Sequence, residues 1–128
     1  MNISIITFTE NGTKLAEKIR QAFASAKTEE AKNLGLSLSD WTRQQFAEKN
    51  AIVVIGACGI AVRMIAPFVS DKLSDSPVVV ADEAGTFVIP LLSGHMGGAN
   101  ELAEQIAGQI GGIPVSYTHL TLPTNSLV

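Results

Sequence analysis

A single cysteine among 128 residues cannot close an internal disulfide, so nothing ties the chain to an oxidising compartment. Charge is also scarce: Asp, Glu, Lys and Arg make up 16% of the residues, 9 basic against 12 acidic, for a net charge of −3. No run of Lys and Arg supplies the positive footprint that a phosphate backbone requires, which sets nucleic acid aside as a partner. Nor does any apolar run reach the roughly 20 residues of a membrane span; the most apolar segment, Ala51 to Val62, is closed by Arg63 and Pro67. Met1-Asn2-Ile3-Ser4 has no positive stretch ahead of its apolar residues and does not read as a signal peptide. The cytoplasm is the default location. No His/Cys cluster has the spacing of metal ligands, so a structural zinc site is not expected. With 46% apolar residues the chain is too hydrophobic for disorder. At this length about two-thirds of the unfolded surface is buried on folding, without a disulfide or metal staple. One soluble globular domain is the expectation.

Periodicity then gives the elements. Ile3-Ser4-Ile5-Ile6-Thr7-Phe8 is a short β-branched run bounded by Asn11-Gly12 and reads as a buried first strand. Leu15, Ile19, Ala22 and Phe23 then recur at helical spacing, with Lys14, Glu17, Lys18 and Arg20 mostly elsewhere around the cylinder. Residues 26–37 read as an edge strand or a loop. Ser39 or Asp40 can cap a second helix with Trp41, Phe46 and Ala47 inward, ending near Lys49-Asn50. Ala51-Ile52-Val53-Val54-Ile55 is apolar without alternation, as in a strand buried on both faces near the centre of a parallel sheet. A turn at Gly56-Ala57-Cys58-Gly59 leads to a helical stripe of Ile60, Met64, Ile65 and Phe68. Val78-Val79-Val80-Ala81 is a further buried strand, turned by Asp82-Glu83-Ala84-Gly85 into a hairpin with Phe87-Val88-Ile89. From Ala99, the residues Leu102, Ala103, Ile106, Ala107 and Ile110 form the face of a last helix, stopped at Gly111-Gly112 with Pro114 beyond.

Strands alternating with helices predict an α/β three-layer sandwich, a parallel or mixed sheet covered by helices on both faces. In such sheets ligands bind beyond the carboxyl ends of the strands. The two glycine-rich turns, 56–59 and 93–98, are expected to open together along one such rim. Residues 116–128 break the pattern, with no charge and much Ser and Thr. That tail reads as foreign or frame-shifted, and the domain as residues 1–115.

Several residues carry candidate chemistry. Ser93-Gly94-His95-Met96-Gly97-Gly98-Ala99-Asn100 puts glycines and a histidine at a helix start, where unpaired N–H groups and partial positive charge favour an anion. The same glycines also suit a tight turn that binds nothing. His95 can take and give a proton near neutral pH, or merely hydrogen-bond within the turn. Gly56-Ala57-Cys58-Gly59 lacks both the G-x-G-x-x-G spacing and a following Gly-Lys-Ser/Thr, so a nucleotide loop loses support. Cys58 reads as a small buried thiol rather than a nucleophile. Arg63, one turn after Gly59, can reach a carboxylate ligand or form a surface salt bridge. Asp82 and Glu83 can supply a carboxylate base or stabilise the turn.

The strings Ile55-Gly56-Ala57-Cys58-Gly59-Ile60-Ala61-Val62-Arg63, Val78-Val79-Val80-Ala81-Asp82-Glu83 and Phe87-Val88-Ile89-Pro90-Leu91-Leu92-Ser93-Gly94-His95-Met96-Gly97-Gly98-Ala99-Asn100-Glu101-Leu102-Ala103, with the opening Ile5-Ile6-Thr7-Phe8-Thr9-Glu10-Asn11-Gly12, resemble the cobalamin-biosynthesis protein G family. These are the cobalt-precorrin-5A hydrolases of the anaerobic vitamin B12 pathway. The resemblance implies a hydrolase that opens the δ-lactone of a cobalt-corrinoid precursor with release of acetaldehyde. It implies no protein-held cofactor, since the substrate carries the cobalt. Within it, His95, Glu83 and Asp82 are the catalytic candidates. Gly56, Gly59, Arg63, Ser93, Gly94, Gly97, Gly98 and Asn100 are the candidates for binding the substrate's carboxylates. Family members continue into a linker and a C-terminal domain, so the chain reads as a truncated one. Its partners are then a corrinoid and other enzymes of the pathway; the alternative is a non-catalytic corrinoid-binding or interaction module.

Overall fold

The computed structural model describes residues 1–71, 74–93 and 98–115. Six strands, β1 (Ile3–Thr7), β2 (Ala26–Glu30), β3 (Ala51–Ile55), β4 (Val78–Ala81), β5 (Phe87–Leu92) and β6 (Ile113–Pro114), form one mixed sheet in the order β2-β1-β3-β4-β5-β6. The first four strands in that order run parallel, β5 runs antiparallel to β4, and β6 lies parallel to β5. The four helices are α1 (Glu10–Ala22), α2 (Leu38–Glu48), α3 (Cys58–Ile65) and α4 (Ala99–Ile110). Among the described residues no helix is long and apolar enough to cross a membrane.

The three layers follow from the apolar runs. Every residue of β1, β3 and β4 is buried, because each of these strands has a helix on both sides. On one face Ile5, Val53, Ile55 and Val79 pack with Leu15 and Ile19 of α1 and Ala103 and Ile106 of α4. On the other, Ile6, Ile52, Val54 and Val80 pack with Trp41 of α2 and Ala61, Met64 and Ile65 of α3. Each large side chain so buried contributes about 1.5–3 kcal/mol relative to exposure, which is why strands of four or five residues hold their register.

The helix boundaries differ in detail from those the sequence suggested. Asn11-Gly12 does not bound β1 but lies in the first turn of α1, because Thr9 caps that helix by accepting from Gly12 N. Ser37, not Ser39 or Asp40, caps α2, its Oγ accepting from Asp40 N. Ala22, Ala47 and Ile60, expected inward, lie outside the buried core, since small or end-of-helix positions fall off the arc that meets the sheet. The two-residue β6 has too few residues for a periodic signal; its pairing is carried by Ile113 N donating to Thr86 O and Val115 N to Val88 O.

Two features of this topology position the candidate site. From β1 the chain crosses to β2 and then returns past β1 to β3, so the helices leaving β1 and β3 go to opposite faces and open a crevice between the strand ends. At β5 the chain reverses. Its last residue, Leu92, pairs with Val78 at the start of β4, so the chain beyond β5 emerges at the rim opposite that crevice.

Candidate functional site

Beyond the carboxyl ends of β1, β3 and β4 the structure gathers Phe8 and Thr9, Gly56 to Gly59, and Asp82 and Glu83. The linking hydrogen bonds are specific. Gly56 N donates to Ala81 O at 2.9 Å, tying the end of β3 to that of β4. Thr9 Oγ1 accepts from Gly12 N at 2.9 Å and donates to Glu83 Oε2 at 2.9 Å. One hydroxyl thus fastens the start of α1 to the β4–β5 turn. Next to it, Thr7 and Thr13 share a 2.9 Å hydroxyl contact, and Thr13 Oγ1 reaches Glu30 at 3.3 Å. These threonines, with Phe8, Glu10, Lys14 and Lys32, line a cleft of about 510 Å³. Among the described residues neither lysine has an acidic partner.

The start of α3 is left open. Its N-cap is Ala57, which has no side chain able to accept from the first-turn amides, and Ala57, Cys58 and Gly59 are exposed. A Cβ placed on Gly59 would meet nothing within 4 Å. Unpaired N–H groups at such a terminus favour an anion or a developing oxyanion. Cys58 is exposed here, contrary to the buried thiol expected from its apolar neighbours, because it is the first residue of α3 and lies beyond the sheet edge.

The two candidate carboxylates differ. Burial alone would raise the pKa of Asp82, but backbone N–H donors, Phe87 and Thr86 first among them, outweigh it and hold the carboxyl below its ordinary value. Phe87 N donates to Asp82 Oδ1 at 2.6 Å. Asp82 is therefore an ionised cap of its own turn. Glu83, by contrast, has its carboxylate at the surface of the rim, with Thr9 as its hydrogen-bond donor.

The described ends of the second glycine-rich turn, Ser93 and Gly98, do not lie on the rim of the first, where they were expected. Ser93, buried and at φ +60°, donates from Oγ to Asp75 O at 3.2 Å, beside the start of β4. Gly98 and the first turns of α4 border Met1, Ile3, Phe23 and Ser25, at the start of β1. Asn100, half-buried, belongs to that same end. The reason is the antiparallel direction of β5: four or five extended residues put about 15 Å between the two rims. Gly94, His95 and Gly97 lie outside the described residues. Arg63 sits on neither rim. It lines a shallow groove between α2 and α3 with Leu38, Ser39, Ile60, Met64 and Pro67, and has no acidic partner among the described residues.

Of the candidates, then, the structure brings together Gly56, Gly59, Asp82 and Glu83. Thr9, Lys14 and Lys32 were not singled out from the sequence, although a threonine between a first strand and a helix is a recognisable N-cap signal. Among the described residues no three His, Cys, Asp or Glu side chains converge as metal ligands.

Comparison with known proteins agrees with this architecture. The sequence profile of the family described as Cobalamin synthesis G N-terminal matches residues 40–120. A cobalt-precorrin-5A hydrolase of Salmonella typhimurium is 42% identical over 124 residues, covering 91% of this chain and 35% of the relative. One of Priestia megaterium is 31% identical over 128 residues, covering 90% of this chain and 34% of the relative. A crystal structure described as that of a cobalamin biosynthesis protein G homologue from Sulfolobus solfataricus superposes with a TM-score of 0.72 at 25% identity, over 94% of this chain and 39% of that one. The chain spans about a third of the length of the curated relatives it matches.

Proposed function

Because the chain belongs to the Cobalamin synthesis G N-terminal family, we propose that it supplies part of a cobalt-precorrin-5A hydrolase and that the rim between β1 and β3 receives the corrinoid. The observation that carries this reading is the donor-rich crevice itself. On one rim lie the uncapped start of α3 and, at the ends of β1 and β2, a cleft holding Lys14 and Lys32, which have no acidic partner among the described residues. A corrinoid intermediate bears many acetate and propionate carboxylates, and these are groups that can accept such hydrogen bonds and charges. Glu10 and Glu30 border the same cleft, so its side chains are charge-balanced, and the unpaired backbone donors are those at the start of α3.

In this reading water attacks the lactone carbonyl and gives its proton to Glu83, with the backbone N–H groups of Cys58 and Gly59 facing the oxyanion that forms. The acyl–oxygen bond breaks, the freed alkoxide collapses to the carbonyl of acetaldehyde as the carbon–carbon bond to the macrocycle breaks, and the macrocycle carbon that keeps the electron pair takes up the proton held by Glu83. Asp82 fixes the turn that presents Glu83. The cobalt travels with the substrate. A role for His95, with Gly94 and Gly97, requires a second contact at the opposite rim, where the flanking Ser93 and Gly98 lie; His95→Ala separates a one-rim from a two-rim site. A cytoplasmic setting beside other enzymes of the pathway belongs to the same proposal.

The lone exposed thiol makes the test direct. Bound cobalt-precorrin-5A should slow alkylation of Cys58 severalfold, and Glu83→Ala should slow acetaldehyde release tenfold or more. Unchanged alkylation under saturating corrinoid would refute the rim as the binding site. Protection without acetaldehyde release, when the same measurement is made on a full-length protein, would identify a non-catalytic corrinoid-binding module instead.

A further inference from the structure

A second cleft, of about 440 Å³, runs between α2 and the outer side of β2, far from the open start of α3. Its lining includes Ser4, Lys27, Glu29, Trp41, Gln45 and Asn50. Trp41 is 4% exposed and Gln45 7%. The orientation of the Gln45 amide is fixed by a chain of partners. Asn50 Nδ2 donates to the Glu48 carboxylate at 3.2 Å, which can only accept, and also to Gln45 Oε1 at 2.9 Å. Ser4 Oγ donates to the same Oε1 at 2.6 Å. Gln45 Nε2 must then be the group left over, and it has no acceptor among the described residues; neither has the indole N–H of Trp41. Both side chains border the cleft, and because a buried donor left unmet costs about 1–3 kcal/mol, each favours an acceptor placed in that space.

Acceptors are present as well. Asn50 Oδ1 and the Glu29 carboxylate, both on the same cleft, have no donor among the described residues. One lysine and two glutamates, Glu29 and Glu48, border the space, so a free carboxylate would meet net negative charge. A group that presents a carbonyl oxygen with N–H beside it meets both sets at once.

We propose that this cleft is a ligand site for a small, planar carboxamide or lactam, its carbonyl oxygen held by Gln45 Nε2 and Trp41 Nε1 and its N–H directed to Asn50 or Glu29. The site is independent of the corrinoid reading, because it uses none of the rim residues.

Benzamide and benzoate are matched probes for the 128-residue chain. Trp41 is the only tryptophan, so a single indole N–H resonance reports on the cleft. Benzamide should move that resonance saturably, and benzoate should bind at least about tenfold more weakly. Gln45→Glu keeps the acceptor for Ser4 and Asn50 while removing the donor pair, and should weaken benzamide about tenfold, the loss expected for one buried hydrogen bond. Should that variant unfold, Trp41→Phe followed by ligand-observed NMR provides the same comparison. No saturable shift with benzamide, which would leave water as the occupant, or benzoate binding as tightly as benzamide, overturns the proposal.

Discussion

The hydroxyl of Thr9 is the smallest group on which the rim depends, and Thr9→Ala measures how much. Two hydrogen bonds vanish together. The first is the cap on α1, where Oγ1 accepts from Gly12 N at 2.9 Å; replacing a threonine cap by alanine costs about 1 kcal/mol. The second is the 2.9 Å donation to Glu83, which is solvent-exposed and contributes about 0.5 kcal/mol. The sum is about 1.5 kcal/mol. For a two-state chain of 128 residues, with an unfolding entropy of about 2.1 cal/mol/K per residue, it lowers Tm by about 6 °C. Thr9→Ser keeps both groups and should stay within about 0.5 kcal/mol of the parent. Glu83→Ala should cost about 0.5 kcal/mol in the parent and nothing measurable once Thr9 is alanine, since the pair is then already broken. Urea titration and calorimetry of the four members of that cycle suffice. If Thr9→Ala unfolds at the same urea concentration as the parent, or if Thr9→Ser is equally damaging, the hydroxyl does not fasten the helix to the turn and the rim is held by the sheet alone.

Asp82→Asn should destabilise the fold near neutral pH. Because the folded-state pKa of Asp82 lies below its ordinary value, the advantage of the parent is complete above the unfolded carboxyl pKa and fades as pH falls through the folded one; a gap between parent and variant that widens below about pH 4 contradicts this sign. Two glycines at the end of α4 should respond in opposite directions. Gly108→Ala meets nothing within 4 Å and should stabilise by about 0.5–1 kcal/mol through helix propensity. In Gly112→Ala the new Cβ would lie 2.7 Å from Gly85 O and should cost about 2 kcal/mol or more in a urea titration, a backbone clash that no side-chain rotation relieves. Equal effects at the two positions would show that the end of α4 does not abut the β4–β5 turn.

The parts of the fold that could be read from sequence are those where one physical signal acts alone. Ala51–Ile55 and Val78–Ala81 were recognisable as inner strands because only burial on both faces leaves an unbroken apolar run. The α4 stripe ended where Gly111 takes up φ +77°. The site was legible only in part. Gly56 and Gly59 come after a parallel strand, so the carboxyl-end rule placed them at that rim; the same rule applies to Asp82 and Glu83 after β4, which were read only as a base or a turn. That rule was misapplied to Ser93 and Gly98, although the hairpin between Val78–Ala81 and Phe87–Ile89 was itself expected: a hairpin reverses the chain, and the segment after β5 must open at the other end. Cys58 was misread because an apolar string carries no information on where a strand leaves the sheet. The clasp of Thr9 on Glu83 spans 74 positions, a contact that no local pattern encodes.

The route of the chain also gives the molecule an electrical polarity. The strands that precede α1, α2 and α3 all end at the crevice, so all three helices begin there, whereas α4, after the reversal at β5, begins at the far side and finishes beside the β4–β5 turn. At about half an elementary charge per terminus, three heads and one tail leave a surplus of about one positive charge at that pole and a matching deficit at the other. In a chain whose side chains sum to −3, this contribution is set by connectivity, and it offsets part of the negative charge that Asp82 and Glu83 bring to the same pole.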